Sequence, residues 1–408
     1  MNVTITPTPL CGTVTPPPSK SQAHRLIIGA ALSAGESVIS GVDLSQDIAA
    51  TLSCMEALGA QTSWADKTTV HIRGMEKGHG TGSPVLQCGE SGSTLRFLIP
   101  IALAVSGGGT FHGRGRLMQR PQTPYFEIFR EKHIAFFQKD DTLTVNGTLP
   151  AGRYSLPGDV SSQFVTGLMY ALPLCAGDSE IVLTTPLESA GYIDMTLDAL
   201  KTFGITVLPT QTGWHVPGGQ SYAPARATVE ADYSQAAFFC AAKGMGSPLE
   251  IVGMNPDSRQ GDRIILSYEA LLDAPGPVTL DVRACPDLVP ALAVRAALRA
   301  GEVTKIVNAA RLRIKESDRL ASVTSVLTAL GADVREEPEG LTIYGKQALS
   351  GGVTVDAWND HRIAMMAAIA ATRCLAPITI TGAQCVNKSY PGFWRDYAAL
   401  GGTLEEKE

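Results

Sequence analysis

Six times along the chain a short polar stretch runs straight into a series of alanine, leucine, methionine or isoleucine. The stretches are Ser19-Lys20-Ser21-Gln22-Ala23, Gly89-Glu90-Ser91-Gly92-Ser93-Thr94, Val160-Ser161-Ser162-Gln163-Phe164, Asp232-Tyr233-Ser234-Gln235-Ala236, Pro286-Asp287-Leu288 and Asn359-Asp360-His361-Arg362. A short side-chain oxygen ahead of an apolar run is how a helix start reads, because it can accept from the unpaired N–H groups of the first turn. Other helical stretches stop at Gly59, Gly204 and Gly331, where glycine serves as the left-handed residue that ends a helix. After each come two short alternating strands around a polar turn, closing at Gly74, Gly218 and Gly345. The segment closing at Asn146-Gly147 keeps the strand pair but has no glycine near His133. The repeating unit reads β-α-β-α-β-β.

With Ser21, Ser91, Ser161, Ser234, Asp287 and Asp360 as markers, the spacings are 70, 70, 73, 53 and 73 residues. Six copies of one unit follow, an α/β fold. The polar helix starts hold the same place in every copy, so the fold is expected to gather them in one region. Their helices are rich in small residues, as in Ala364-Met365-Met366-Ala367-Ala368-Ile369-Ala370, and can be buried close together.

A length of 408 residues with 44% hydrophobic and 18% charged positions suits two or three globular domains and excludes disorder as the main state. The longest uncharged apolar stretch, Phe97 to Phe111, contains a proline and three consecutive glycines, and is shorter than the ~20 residues of a membrane span. The N-terminus, Met1-Asn2-Val3-Thr4, lacks the pattern of a secretory signal, which points to a cytoplasmic protein. The net charge of −6 does not favour a polyanion such as nucleic acid, so an anionic ligand needs a local basic cluster. The eight cysteines contain no C-x-x-C pair and the seven histidines no H-x-x-x-H pair, so buried free thiols are expected rather than a zinc site or disulfides.

Such a cluster is present in the sequence. Lys20, Arg25, Arg96, Arg116, Arg120, Arg313, Lys315, Arg319, Arg362 and Lys388 lie in or beside the polar helix starts or two further basic segments. Ser21 and Arg25, Arg116 and Arg120, and Lys315 and Arg319 are each four apart, so each pair shares a face if helical. Forked guanidinium groups and exposed helix-start N–H groups suit phosphate and carboxylate, which implies a ligand with several anionic groups. Ser161-Ser162-Gln163 offers two hydroxyls and an amide at a helix start, fit for a phosphoryl group. Among the cations stand Asp287, Glu316 and Asp360; a carboxylate so surrounded stays ionised and can act as a base. Asp287 is the first candidate, although its place before an apolar helix equally suits a helix cap. The chain has no P-loop, no G-x-G-x-x-G and no G-x-S-x-G, so the chemistry must come from acid–base groups and charge.

Taken together, Pro18-Ser19-Lys20-Ser21, Gly89-Glu90-Ser91-Gly92-Ser93-Thr94-Leu95-Arg96, Arg116-Leu117-Met118-Gln119-Arg120-Pro121, Ser161-Ser162-Gln163, Tyr192-Ile193-Asp194, Arg313 through Leu320, Asp360-His361-Arg362 and Lys388-Ser389-Tyr390-Pro391 resemble the enolpyruvyl transferases, in the branch acting on shikimate 3-phosphate. The matching segments cover nearly the whole chain in order. The resemblance implies a two-domain inside-out α/β barrel with three β-α-β-α-β-β units per domain. One domain would comprise residues 1–18 and 231–408, the other 19–230, with the active site in the cleft between them. It also implies the reaction: the 5-hydroxyl of shikimate 3-phosphate adds to phosphoenolpyruvate, and the tetrahedral adduct expels phosphate.

By the same resemblance the catalytic groups would be Asp287, Lys20, Glu316 and His361. The shikimate 3-phosphate contacts would be Lys20, Ser21, Arg25, Ser161, Ser162, Gln163, Ser189, Asp287 and Lys315. The phosphoenolpyruvate contacts would be Lys20, Gly92, Arg116, Gln163, Arg319, Arg362 and Lys388. It implies no metal or organic cofactor, two small-molecule substrates, no nucleic acid or membrane partner, and a monomer. Glu90 and Arg311 stand where many relatives have asparagine and are not carried over. Two other readings are a transferase acting on UDP-N-acetylglucosamine, whose usual loop cysteine is missing from His112 to Arg120, and a non-catalytic protein binding phospho-ligands or RNA ends.

Overall fold

The computed structural model describes residues 1–75 and 83–407. The chain divides into two compact units, a continuous one from Pro18 to Glu230 and a discontinuous one made of Met1–Pro17 and Ala231–Glu408.

The continuous unit contains helices α1 (Lys20–Leu32), α2 (Gln46–Ala57), α3 (Gly92–Ser106), α4 (Thr123–Glu131), α5 (Ser162–Ala171) and α6 (Ala190–Thr202). Its sheets show how the repeat is built. Val85–Gly89 and Gly108–Gly113 run parallel across α3, and the hairpin Ala135–Lys139 and Thr142–Asn146 adds antiparallel strands, giving the spatial order first, second, fourth, third. The sheet of Arg153–Leu156, Ser179–Leu183, Leu208–Pro209 and Gly213–Val216 has the same order. In the sheet of Glu36–Ser40, Gln61–Trp64 and Val70–Arg73, the first place is taken by Arg226–Thr228 from the far end of the unit.

Strands such as Val85–Gly89 alternate exposed and buried residues, so each sheet has one face on the core. Helices α1, α3 and α5 are buried around most of their circumference, which their small and apolar residues allow.

The discontinuous unit contains α7 (Tyr233–Gly244), α8 (Ile265–Asp273), α9 (Val289–Ala297), α10 (Arg319–Ala329), α11 (His361–Ala371) and α12 (Phe393–Ala399). Val278–Asp281, Val303–Val307, Asp333–Glu337 and Gly340–Tyr344 repeat the same sheet order. In the last sheet Thr354–Asp356 and Ile378–Thr381 are parallel, and the N-terminal strand Asn2–Thr6 lies antiparallel between Ile378–Thr381 and Thr403–Lys407.

One copy departs from the expected pattern. From the end of α8 at Asp273 the chain passes directly to the strand Val278–Asp281, with no hairpin between them. The fourth copy is therefore abridged, which accounts for its spacing of 53 residues; the described chain has five four-stranded sheets, not six. None of these sheets closes into a barrel.

Local chemistry explains the helix ends. Gly59, Gly204 and Gly331 adopt φ of 110°, 76° and 99°, a region that disfavours side chains, and they end α2, α6 and α10. After α4 His133 takes the left-handed position itself, with φ 57°. Six of the eight cysteines are buried and all eight are free. No described helix is long and apolar enough to cross a membrane.

Candidate active site

In the discontinuous unit the polar helix starts and the segment before α10 bring three acids around one arginine. Arg319, the first residue of α10, is 1% exposed, and its fork is shared among three carboxylates. Nη1 donates to Asp287 Oδ1 at 2.6 Å, Nη2 to Glu316 Oε2 at 2.6 Å and Nε to Asp360 Oδ2 at 2.8 Å. Burial alone would lower the affinity of this guanidinium for its proton, but Asp360, Glu316 and Asp287 outweigh it and hold the pKa well above normal. With so many donors engaged, Arg319 is first a scaffold for Asp287 and Glu316.

Asp287 lies in a short 3₁₀ turn ahead of α9. Besides Arg319 it meets Arg362 Nη2 at 3.2 Å and Lys315 Nζ at 3.5 Å. The cap residue of α9 is Leu288, one position beyond Asp287, and it makes no side-chain cap bond. Asp360 does cap its helix, accepting from Arg362 N, and it also takes Ser317 Oγ at 3.0 Å. His361 is almost fully buried, its Nδ1 4.0 Å from Asp360 Oδ1. Lys388 donates to the Asn359 carbonyl at 2.6 Å. Burial brings Lys315 down to about 8, against the opposing pull of Asp287. A fourth acid, Asp262, accepts from the Ser234 hydroxyl. Burial, then the charge of Asp287, pushes Asp262 up to about 7.

The continuous unit assembles a second basic set. Lys20 opens α1 and forms an ion pair with Asp47 Oδ2 at 2.7 Å. Arg25, one turn on, donates to the Ser21 and Tyr192 carbonyls and to Thr196 Oγ1, with its guanidinium beside the Phe97 and Tyr192 rings. Burial lowers its pKa to about 10, so it stays charged at neutral pH.

At the start of α5, Ser161 caps the helix by accepting from Gln163 N, and Ser162 follows it. Gln163 accepts from Arg96 Nη1 at 2.8 Å and donates to Ser93 Oγ at 3.0 Å, which ties α5 to α3. Ser189 is buried with φ 58° immediately before α6.

Of the three four-apart pairs, only Ser21 and Arg25 share a helix. Lys315 is extended just before α10, and only the three-residue 3₁₀ turn Leu117–Gln119 separates Arg116 from Arg120. That turn parts the arginines: Arg116 is exposed, while Arg120 is buried with its guanidinium packed over Gly92. An ideal Cβ on Gly92 would lie 2.6 Å from Arg120 Nη1. Arg120 Nε is buried without a hydrogen-bond partner. A desolvated guanidinium over the first residue of a fifteen-residue helix is a place for an anion, because the helix start adds N–H donors and a positive dipole end. Sequence spacing named Arg120 within the basic cluster but not as a ligand contact. Asp47 and Asp262 carried no sequence signal, since their partners lie 27 and 28 residues away.

The model of EPSP synthase (3-phosphoshikimate 1-carboxyvinyltransferase) matches residues 5–397. The chain belongs to the EPSP synthase family. A 3-phosphoshikimate 1-carboxyvinyltransferase of Clostridium perfringens is 45% identical over 99% of both chains, and that of Clostridium kluyveri is 44% identical over 99% of this chain and 98% of its own. The solved EPSP synthase of Acinetobacter baumannii superposes with a TM-score of 0.81 at 24% identity, covering all of both chains. The enolpyruvyl transferase NikO of Streptomyces tendae gives 0.77 at 16% identity, covering all of this chain and 98% of its own. At those identities the two structures speak for the fold alone.

Proposed function

We propose that this protein transfers the enolpyruvyl group of phosphoenolpyruvate to the 5-hydroxyl of shikimate 3-phosphate and releases phosphate. The observation that carries the reading is Asp287, a carboxylate fixed by Arg319, Arg362 and Lys315 inside a family match that spans the chain. Those cations favour its ionised form, leaving it able to accept the hydroxyl proton as the oxygen attacks C2 of phosphoenolpyruvate. The methylene carbon gains a proton from the Lys20 ammonium, and Glu316, a carboxylate ionised against Arg319, is fit to take up the proton that carbon later loses. Loss of a proton from that carbon and departure of phosphate then restore the double bond. His361 is too deeply buried to be a first choice for either transfer.

In this reading Lys20, Ser21, Arg25, Ser161, Ser162, Gln163, Ser189, Asp287 and Lys315 hold shikimate 3-phosphate. Lys20, Gly92, Gln163, Arg319, Arg362 and Lys388 hold phosphoenolpyruvate. Arg120, by its burial over Gly92, takes the part first given to Arg116. The cations balance phosphate and carboxylate charge from fixed positions, a preorganised electrostatic contribution. Each unit would form an inside-out barrel domain, and the two basic sets would act on one pair of ligands. The relatives at 45% identity are named for this reaction, and the reading with UDP-N-acetylglucosamine is not favoured.

Phosphate release tests the reading. Phosphoenolpyruvate with shikimate 3-phosphate should give turnover, and with UDP-N-acetylglucosamine none. Asp287→Ala should lower turnover by about 10² or more while shikimate 3-phosphate affinity stays within roughly tenfold, the scale of a lost general base. Undiminished turnover in that variant would remove Asp287 from the mechanism.

A further inference from the structure

Beneath the starts of α1, α2 and α3 runs a buried ladder of side-chain hydrogen bonds. His24 Nδ1 lies 2.7 Å from Thr51 Oγ1, Thr51 Oγ1 2.6 Å from Thr94 Oγ1, and Thr94 Oγ1 donates to Ser91 Oγ at 2.7 Å. All four residues are at most 1% exposed. Each hydroxyl has one hydrogen to give, so the last bond fixes the rest. Thr94 donates to Ser91, Thr51 must donate to Thr94, and His24 must donate to Thr51 from a protonated Nδ1. Burial, then Lys20 and Arg25, holds the His24 pKa well below normal, so the ring is neutral and its buried Nε2 carries only a lone pair.

The ladder sits in register with the basic set. His24 follows Lys20 by four residues on α1, and Thr51 follows Asp47 by four on α2. The two helices therefore meet at two rungs one turn apart, the Lys20–Asp47 ion pair and the His24–Thr51 hydrogen bond. Thr51 extends the second rung to α3, whose first residue is Gly92 and whose cap is Ser91; a longer contact, Thr94 Oγ1 to the Asp47 carbonyl at 3.5 Å, runs beside it. Apolar side chains of similar shape would fill this interior without the risk of a buried unpaired polar atom. What apolar packing would not supply is directional control over how α2 and α3 slide past each other.

We propose that Thr51 is a positioning residue for phosphoenolpyruvate: it fixes the distance between the Lys20 ammonium and the Gly92 helix start that together receive this ligand. The inference rests on the transferase reading above. Shikimate 3-phosphate shares Lys20 but draws mainly on Arg25 and on the starts of α5 and α6, whose side chains are not rungs of the ladder and of which Gln163 is tied to α3, so the two substrates should respond to different degrees.

The test compares wild type, Thr51→Val and Thr51→Ser by phosphate release with varied phosphoenolpyruvate, and by calorimetry with shikimate 3-phosphate alone. Thr51→Val should raise KM for phosphoenolpyruvate at least fivefold and leave the Kd for shikimate 3-phosphate within twofold. Thr51→Ser, which keeps the hydroxyl, should return KM to within twofold of wild type. An unchanged KM in Thr51→Val would overturn the proposal, as would equal rises for both substrates, which indicate general loosening. Should Thr51→Val fail to fold, Thr94→Val, which breaks the ladder at the next rung and keeps the α3 backbone cap, is read by the same criteria. A wild-type protein that releases no phosphate would sink the transferase reading and the inference together. Normal wild-type turnover with an unaffected Thr51→Val would sink the inference alone.

Discussion

Replacing Gly92 with alanine would push a methyl group into the guanidinium of Arg120. The new Cβ would lie 2.6 Å from Nη1 and 3.0 Å from both Cζ and Nη2, all at the far end of a side chain. Carbon and nitrogen rest comfortably at about 3.5 Å, so the guanidinium must withdraw by roughly 1 Å. A misplacement of about that size in a ligand-binding group can cost up to ~10²-fold, and a long side chain that adjusts recovers part of it. Gly92→Ala is therefore expected to raise KM for phosphoenolpyruvate about tenfold, or about 1.4 kcal/mol. KM for shikimate 3-phosphate should stay within twofold. Gly92 begins α3 with a backbone outside the left-handed region, so alanine suits its conformation and improves helix propensity by up to ~1 kcal/mol. Melting temperature should not fall, which separates displacement from unfolding. Steady-state phosphate release at saturating shikimate 3-phosphate is the assay. Arg120→Lys should weaken phosphoenolpyruvate too, and the double variant should lose less than the two losses combined, because both act on one group. A phosphoenolpyruvate KM unchanged in Gly92→Ala, or full additivity in the double variant, would refute the reasoning.

Two further predictions concern pH. In the unfolded chain the Asp262 carboxyl loses its proton near 3.8, and in the folded chain near 7, so folding holds an extra proton between them and stability falls as pH rises through that window. Asp262→Asn should then raise the melting temperature, relative to wild type, more at pH 8 than at pH 4.5; an equal difference at both would contradict the assignment. Lys315, held down to about 8, is charged below that pH and neutral above it, so kcat/KM for shikimate 3-phosphate should decline above pH 8. Lys315→Arg should move the decline upward, since arginine does not titrate there, and a wild-type profile level to pH 9.5 would exclude Lys315 as its source.

The repeat could be read from sequence because its signals are local. A polar cap before small apolar residues and a glycine after a helix each report on a few adjacent positions, and Gly59, Gly204 and Gly331 end their helices as expected. The abridged fourth copy was visible as a spacing of 53, but spacing alone does not say which element is missing. The sequence marks His133 only as a place without glycine, because a left-handed histidine looks like any surface histidine in sequence.

The site was legible as a list of charged residues and much less as pairings. Arg319 meets Asp360 across 41 positions and Asp287 across 32, distances over which sequence periodicity carries no information. The four-apart rule paired Arg116 with Arg120 on one face because it presumes a helix, whereas a tight 3₁₀ turn turns one outward and the other inward. The Thr51 ladder was illegible for a related reason: threonine within an apolar helix reads as an ordinary core position until its neighbours are known.

The strand Asn2–Thr6 sits inside its sheet, hydrogen-bonded to Ile378–Thr381 on one side and to Thr403–Lys407 on the other. Asn2–Thr6 must therefore wait for both of these strands, made nearly four hundred residues later, before its two edges are paired. The continuous unit has all its strands once Glu230 has emerged and can mature while translation proceeds. Its companion becomes complete only once Thr403–Lys407 has been made, so loss of either outlying strand should harm that half while the other can still fold.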